Sequence, residues 1–237
     1  MTATLPPREP VEALAPLGVV AFTTTRAAGT YGTQGAEPVG EVMGRWEALA
    51  SELRSRAPRF ATARQVHGTR VVEHGDGWAG WLRVGEADGH LAAPGTALAV
   101  TVADCVPVFI AHPSGVVALL HSGWRGTAGG ILECGIEALG RRGVAARELV
   151  VHLGPAICGA CYEVSPDVYG KITGRHVDAP TTVDLRSVLA DRARRAGVTR
   201  ISVSPWCTRC HNDRFFSHRA GDAGRQIGVL ASPERGG

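Results

Sequence analysis

An α+β fold is what this sequence predicts, and three observations predict it. Apolar runs of strand length recur along the chain, such as 106–111 (VPVFIA), closed by the turn His112-Pro113-Ser114-Gly115. Helical periodicity is confined to a few stretches, chiefly 41–56, 127–142 and 184–196. The two kinds of segment do not alternate strictly, which favours layered sheets over a doubly wound parallel sheet. With 237 residues, 44% of them hydrophobic, the chain can bury a sizeable core. It has no internal repeat and no linker-like composition shift, so one domain is expected over residues 18–237.

In chain order, residues 1–17 are rich in Pro and read as disordered. Residues 19–24 form a strand that ends at Thr25-Arg26 and a Gly-rich loop. Residues 41–56 form an amphipathic helix, because Val42, Trp46, Leu49 and Leu53 recur at spacings of three and four. Residues 64–72 read as one strand kinked at His67-Gly68. A loop over 75–80 and a turn at Ala87-Asp88-Gly89 follow. Three apolar strands come next, over 97–102, 106–111 and 115–120. A helix over 127–142 is stopped by Gly143. Residues 149–153 form a strand, and Ser165-Pro166 opens a helix with Pro in its first turn. The helix over 184–196 ends at Gly197. Residues 201–203 and 215–219 read as strands, and the segment after 219 carries no clear pattern.

Composition excludes several classes of function. The formal net charge is +3 with no basic block, and aromatics are 5% of residues, so no nucleic-acid partner is implied. The first residues lack a basic stretch followed by an apolar one, and no apolar run is long enough to span a bilayer. A cytoplasmic protein with no membrane partner is expected. Its six cysteines are then reduced and available as ligands or nucleophiles.

The chemistry-bearing residues sit at strand ends. Asp104-Cys105 interrupts an apolar run. His121 follows Leu119-Leu120 and opens the Gly-rich stretch His121-Ser122-Gly123-Trp124-Arg125-Gly126. His67 lies at the kink of an earlier strand. Two imidazoles and a thiolate suit zinc, and three protein ligands leave a fourth position open, as catalysis needs. The same residues also fit a small core cysteine with two hydrogen-bonded histidines. A third reading makes Cys105 a nucleophile, His121 its base, and Asp88 or Asp104 the orienting acid. Arg125 offers a permanently charged fork for phosphate, and Arg26 is a second candidate for that task. Thr127 is a candidate helix start whose N-terminus would favour an anion.

Cys158-x-x-Cys161 and Cys207-x-x-Cys210 are separated by 45 residues that include a helical segment. That spacing is far longer than in zinc ribbons, so these cysteines read as packing or loop thiols. Cys207-Thr208-Arg209-Cys210-His211 matches a haem-attachment pattern, but no export signal accompanies it. No dinucleotide fingerprint, P-loop or nucleophile elbow is present.

Four separated strings carry a resemblance: QVHGTRVV, TVADCVPVFIAHPSGVVALLHSGWRGT, LGPAICGACYEV and CTRCHNDRFFSHR. Together they resemble the laccase-domain proteins of the YfiH/YlmD type, over roughly residues 18–230. That resemblance implies a single-domain four-layer αββα sandwich, shared with the catalytic domain of the cytotoxic necrotizing factor. It also implies a zinc site at His67, Cys105 and His121, and a functional rather than turn-forming Asp88. The implied activity is purine nucleoside phosphorylase, acting with phosphate on adenosine, inosine, guanosine and methylthioadenosine, with adenosine deaminase activity beside it. Arg26, Arg125 and Arg219 are the expected substrate contacts, and a monomer is expected. A cysteine hydrolase or a peptidoglycan-precursor editing factor built on Cys105 is the alternative. A copper polyphenol oxidase ranks below them, since none of the nine histidines forms a His-x-His pair. Two departures from the family pattern fall on substrate-side loops: 29–34 lacks an Asn-containing segment, and His218 stands where Tyr is usual.

Overall fold

Alternation of side chains along the apolar strands sets the architecture. In a strand, successive residues face opposite sides. Leu98, Val100 and Val102 therefore point one way, and Ala97 and Ala99 the other. The computed structural model describes residues 5–234. It begins with strands β1 (Arg8–Pro10) and β2 (Val20–Thr24), helix α1 (Val39–Leu53), and strands β3 (Arg59–Arg64), β4 (Val71–His74), β5 (Gly80–Glu86) and β6 (Gly89–Ala92). Then come β7 (Thr96–Val102), β8 (Val106–Ala111), β9 (Val117–Ser122), α2 (Trp124–Gly129), α3 (Ile131–Arg141) and β10 (Val150–Leu153). The chain continues through β11 (Glu163–Val164), α4 (Pro166–Thr173), β12 (Thr181–Thr182), α5 (Leu185–Arg195), β13 (Arg200–Val203) and β14 (Gln226–Ser232).

Two six-stranded mixed sheets result. Sheet I has the order β1-β2-β14-β7-β3-β5, and sheet II the order β13-β10-β8-β9-β6-β4. Three apolar interfaces separate four layers. Trp46, Leu49 and Leu53 of α1 pack on Phe22, Phe60 and Val229 of sheet I. Leu98 and Val100 of sheet I meet Phe109, Val117 and Leu119 of sheet II. Val108, Ile110 and Leu120, on the other face of sheet II, meet Ile131, Leu132 and Leu189 of α3 and α5. This is the expected αββα order.

Several local expectations are corrected. Residues 64–72 are not one strand: β3 belongs to sheet I and β4 to sheet II, and the kink at His67 is where the chain crosses between them. The turn at Ala87-Asp88-Gly89 is a second such crossing, from β5 to β6. Strand β5 lies at a sheet edge, half exposed, so it lacks the apolar alternation that marks its neighbours. The helix expected over 127–142 begins earlier and is broken at Gly130, whose φ of 86° lies in the left-handed region. Residues 215–219 are turns rather than a strand. Phe215 and Phe216 are buried, but Phe216 N–H donates to Gln226 Oε1 and Ser217 N–H to Asp222 Oδ2, so no ladder forms. The unassigned C-terminal stretch is β14, fully buried between β2 and β7. Of residues 1–17, expected to be disordered, 1–4 lie outside the described residues, and 8–17 supply β1 and a short 3₁₀ turn. β1 pairs with β2, and Leu14 is fully buried between the sheets. Burial of Val11 and Leu14 and the pairing of β1 with β2 together act against the ordering cost of this segment.

Phe109 fills the gap between the sheets and is wholly buried. Phe109→Ala is expected to cost about 3–5 kcal/mol in urea unfolding. Val203→Ala, on an exposed stretch of edge strand β13, should stay within about 0.5 kcal/mol. Equal costs at the two positions would contradict the layer assignment.

Candidate active site

Three crossings from sheet I to sheet II reach one end of the sandwich, and each brings a chemical group there. Residues 65–70, between β3 and β4, carry His67. Residues 87–88, between β5 and β6, carry Asp88. Residues 103–105, between β7 and β8, carry Asp104 and Cys105. His121 arrives on β9, paired opposite Pro107. One side-chain donor atom each from His67, Cys105 and His121 lies within 4.8 Å of the others.

The buried carboxylate of Asp88 holds these pieces together. It accepts N–H bonds from Val66 at 3.1 Å, His67 at 2.9 Å and Gly68 at 2.7 Å. Its Oδ1 also stands 2.8 Å from His121 Nδ1, and its carbonyl accepts the His121 N–H at 2.7 Å. Burial alone would raise its pKa, but these bonds outweigh burial and hold the carboxyl below its ordinary value. With Nδ1 engaged, His121 presents Nε2 as its ligand or base nitrogen.

Gln65 makes a further tie. Its amide accepts from the Thr101 N–H at 2.7 Å and donates to the Thr101 carbonyl at 2.8 Å, so it acts as one more rung between the first crossing and the end of β7. Asp104 is the second brace. Its carboxylate accepts from Thr208 Oγ1 at 2.6 Å and from the Arg219 N–H at 2.7 Å, while its carbonyl accepts the Ile157 N–H at 3.1 Å. Of the two acids nearest the ligands, Asp88 orients the imidazole and Asp104 positions the Cys105 backbone. Among the described residues, His67 (φ 60°) and Asp104 (φ 78°) are the non-glycine residues with positive φ. Such backbone costs of order 1–3 kcal/mol each. At both positions the two carboxylate braces hold it in place.

Cys105 is flanked by both imidazoles. Burial would raise its pKa, but His121 and hydrogen bonds from His121 and His67 lower it to about 6. His121 responds in the opposite sense: burial would lower it, while Cys105 and Asp88 raise it to about 9. A thiolate beside an imidazolium is the charge state that a divalent cation would replace. Gly123 shapes the cradle. A Cβ there would stand 2.9 Å from Cys105 Sγ and 3.2 Å from His67 Cδ2, so a side chain would fill the space among the ligands. His67 is exposed, leaving one side of the trio open to solvent. The donor set, the oriented His121 and the open side together fit a metal ion.

The arginines divide. Arg125 is exposed on the first turn of α2, with its guanidinium 4.4 Å from the Trp124 ring. Arg219 stacks 5.0 Å from the Tyr162 ring and donates to the Glu163 carbonyl at 3.0 Å. Arg26 is engaged elsewhere: it bonds Asp222 Oδ2 at 2.6 Å and the Asn212 carbonyl at 2.8 Å, and lies over Phe216. Its guanidinium braces the 212–222 segment. Thr127 is inside α2 with its hydroxyl on Ser122, so it opens no helix. Sequence reasoning also missed Tyr162. Burial chiefly, then the nearby Cys105, raise its phenol to about 12, while Arg219 and Arg125 act in the opposite direction. Only its place in the LGPAICGACYEV string marked it beforehand.

Residues 27–232 match the family model described as multi-copper polyphenol oxidoreductase laccase. The chain belongs to this family. A purine nucleoside phosphorylase of Deinococcus radiodurans is 34% identical over 80% of this chain and 76% of its own length. A second protein of that name, from Streptomyces coelicolor, is 33% identical over 84% and 85%. Adenosine deaminase RL5, from an unknown prokaryotic organism, is 30% identical over 85% and 88%. Among solved structures, Bacillus licheniformis YfiH superposes with a TM-score of 0.84 at 26% identity, covering 96% of this chain and 97% of that one. YlmD from Geobacillus stearothermophilus gives 0.82 at 28%, covering 94% of each. The laccase-like fold and the YfiH resemblance both hold. In this chain two imidazoles join the cluster, fewer than the several His-x-His pairs that normally feed a trinuclear copper centre.

Asp88→Asn places an amide N–H₂ where backbone donors already converge. It is expected to lower stability by about 1–3 kcal/mol and metal affinity by about 10–100-fold. Since the folded pKa of Asp88 is depressed, its stabilisation is present above the ordinary carboxylate pKa and is lost as pH falls through the folded value. Unfolding of metal-free protein followed across that acid range should therefore depend less on pH in the variant. Gly123→Ala is expected to lose the metal of this centre while keeping near-native secondary structure by circular dichroism. Full metal retention in that variant would contradict the cradle.

Proposed function

We propose that this chain is a zinc-dependent purine nucleoside phosphorylase with adenosine deaminase activity. Adenosine, inosine, guanosine and methylthioadenosine would react with phosphate to give the free base and ribose 1-phosphate. The observation that carries this reading is the His67–Cys105–His121 trio, with Asp88 on His121 and one open side. The names of the relatives on both sides of the proposed activity support it. His67, Cys105 and His121 would hold the ion, which would supply Lewis acidity to a substrate heteroatom. Soft thiolate with imidazole suits zinc, and the small imidazole count argues against a trinuclear copper centre.

The chain's own groups account for the rest. A phosphate oxygen bonds to C1′ as the C1′–N9 bond breaks, and the base leaves with the bonding pair and takes up the proton that the hydrogen phosphate gives up. The dianionic nucleophile needs fixed positive charge, and Arg125 is the candidate that projects from the segment just after His121. Arg219 and the Tyr162 phenol, kept neutral chiefly by burial, would orient substrate as hydrogen-bond donors. No helix among the described residues is long and apolar enough to cross a membrane. The proposed setting is cytoplasmic, with the protein acting as a monomer.

A second reading has a specific observation behind it. Cys105, His121 and Asp88 are also connected as nucleophile, base and orienting acid, with the thiol shifted toward thiolate. Metal decides between them. Cys105→Ser is expected to lose the zinc of this centre together with activity, and chelation should abolish activity reversibly. In the hydrolase case chelated enzyme would stay active. Arg125→Ala is expected to raise the KM for phosphate about tenfold or more, roughly the loss of one charged hydrogen bond. Adenosine deamination, which consumes no phosphate, should fall much less. Equal losses in both reactions, measured on one preparation, would remove Arg125 from the phosphate site.

A further inference from the structure

The two CxxC pairs, far apart in sequence, meet in space. Cys158 and Cys161 lie in the turn after β10, and Cys207 and Cys210 in the turns between β13 and β14. One sulfur atom from each lies within 4.8 Å of all the others. The Sγ atoms of Cys161 and Cys210 are 3.4 Å apart. Thiolates on a tetrahedral zinc with Zn–S of ~2.3 Å stand ~3.8 Å from one another, so the spread of the four sulfurs suits one ion. The parallel bridge between Ala156 and Cys207 brings the two turns side by side, a convergence that the long sequence spacing did not suggest.

The backbone is also arranged for thiolates. Cys207 Sγ accepts the N–H of Cys158 at 3.3 Å and of Cys210 at 3.4 Å. Arg209 donates to the Cys161 carbonyl at 3.3 Å, which keeps a cation beside a cluster that would carry net negative charge. Cys207 is buried and Cys210 exposed, so the ion has an entry path. The second helix between the pairs, α5, leaves from Asp184, whose Cβ lies 3.0 Å from the position a Cβ would take on Gly159. Gly159 between the first two cysteines thus permits that close packing.

We propose that Cys158, Cys161, Cys207 and Cys210 form a structural tetrathiolate zinc site, distinct from the His67–Cys105–His121 centre. The site clips the two turns that brace Asp104. Ile157, next to Cys158, donates to the Asp104 carbonyl, and Thr208, next to Cys207, donates to its carboxylate. The second ion therefore fixes the left-handed Asp104 that presents Cys105. Zinc suits the place because it has no redox chemistry and one ligand is at the surface.

The test is metal analysis of full-length protein purified without chelator, as wild type, Cys105→Ala and the double variant Cys161→Ser/Cys210→Ser. Cys105→Ala is expected to keep about one zinc per chain, and X-ray absorption at its zinc edge to give a pure sulfur shell at ~2.3 Å. The double variant should lose that ion. If it does not fold, the Cys105→Ala measurement decides alone, and it reads this cluster whether or not the proposed catalytic centre holds zinc. A zinc-free Cys105→Ala protein, a shell containing nitrogen, iron in place of zinc, or a disulfide among these four cysteines by mass spectrometry would each overturn the proposal.

Discussion

The buried carboxylate of Asp88 is the interaction on which the site depends. Moving a charge out of water is costly, and an unpaired buried carboxylate would protonate instead. Here three backbone N–H groups and the His121 imidazole converge on it. Those donors belong to one chain crossing and to strand β9, and the carboxylate itself to a second crossing. Satisfying one charge therefore fixes the relative position of three segments that share no continuous ladder at that point. The left-handed backbone of His67 is tolerable because its own N–H and that of its neighbour Gly68 are bound by this carboxylate.

Asp104 repeats the device on the other side of Cys105. Its carboxylate gathers Thr208 and the Arg219 backbone, and its carbonyl gathers Ile157. The Cys105 thiol thus sits between two acids with separate tasks. One orients an imidazole that faces the thiol, and the other binds the loops that carry the four remaining clustered cysteines. Positioned groups of this kind need no reorganisation when substrate arrives, which is how a rigid fold contributes to catalysis. The apolar layers supply the rigidity, with Phe109 and Leu119 locking the sheets against each other just behind the crossings.

What the residues disclosed beforehand was uneven, for physical reasons. The oddity of Cys105 and His121 at the ends of apolar runs was legible because a core gains nothing from a thiol and an imidazole there. The helices with Ser165 and Asp184 at their N-caps were legible because capping is local. Strand β5 was not, since an edge strand need not alternate. The burial of Phe215 and Phe216 imitated a strand although side chains take up their backbone donors. Arg26 looked like an anion ligand, and its pairing with Asp222 lies 196 residues along the chain.

The sequence by itself determined the layered α+β class, the strand-end placement of Cys105 and His121, and the presence of two cysteine pairs. Each of these is written in local composition and period. Only the tertiary structure decided that residues 64–72 leave one sheet for the other, that Asp88 rather than Asp104 holds the imidazole, and that the cysteine pairs converge. Those outcomes rest on which distant strands pair and on which donors reach a buried charge. Neither is encoded within a window of a few residues, because hydrogen bonds and packing act through space and not along the chain.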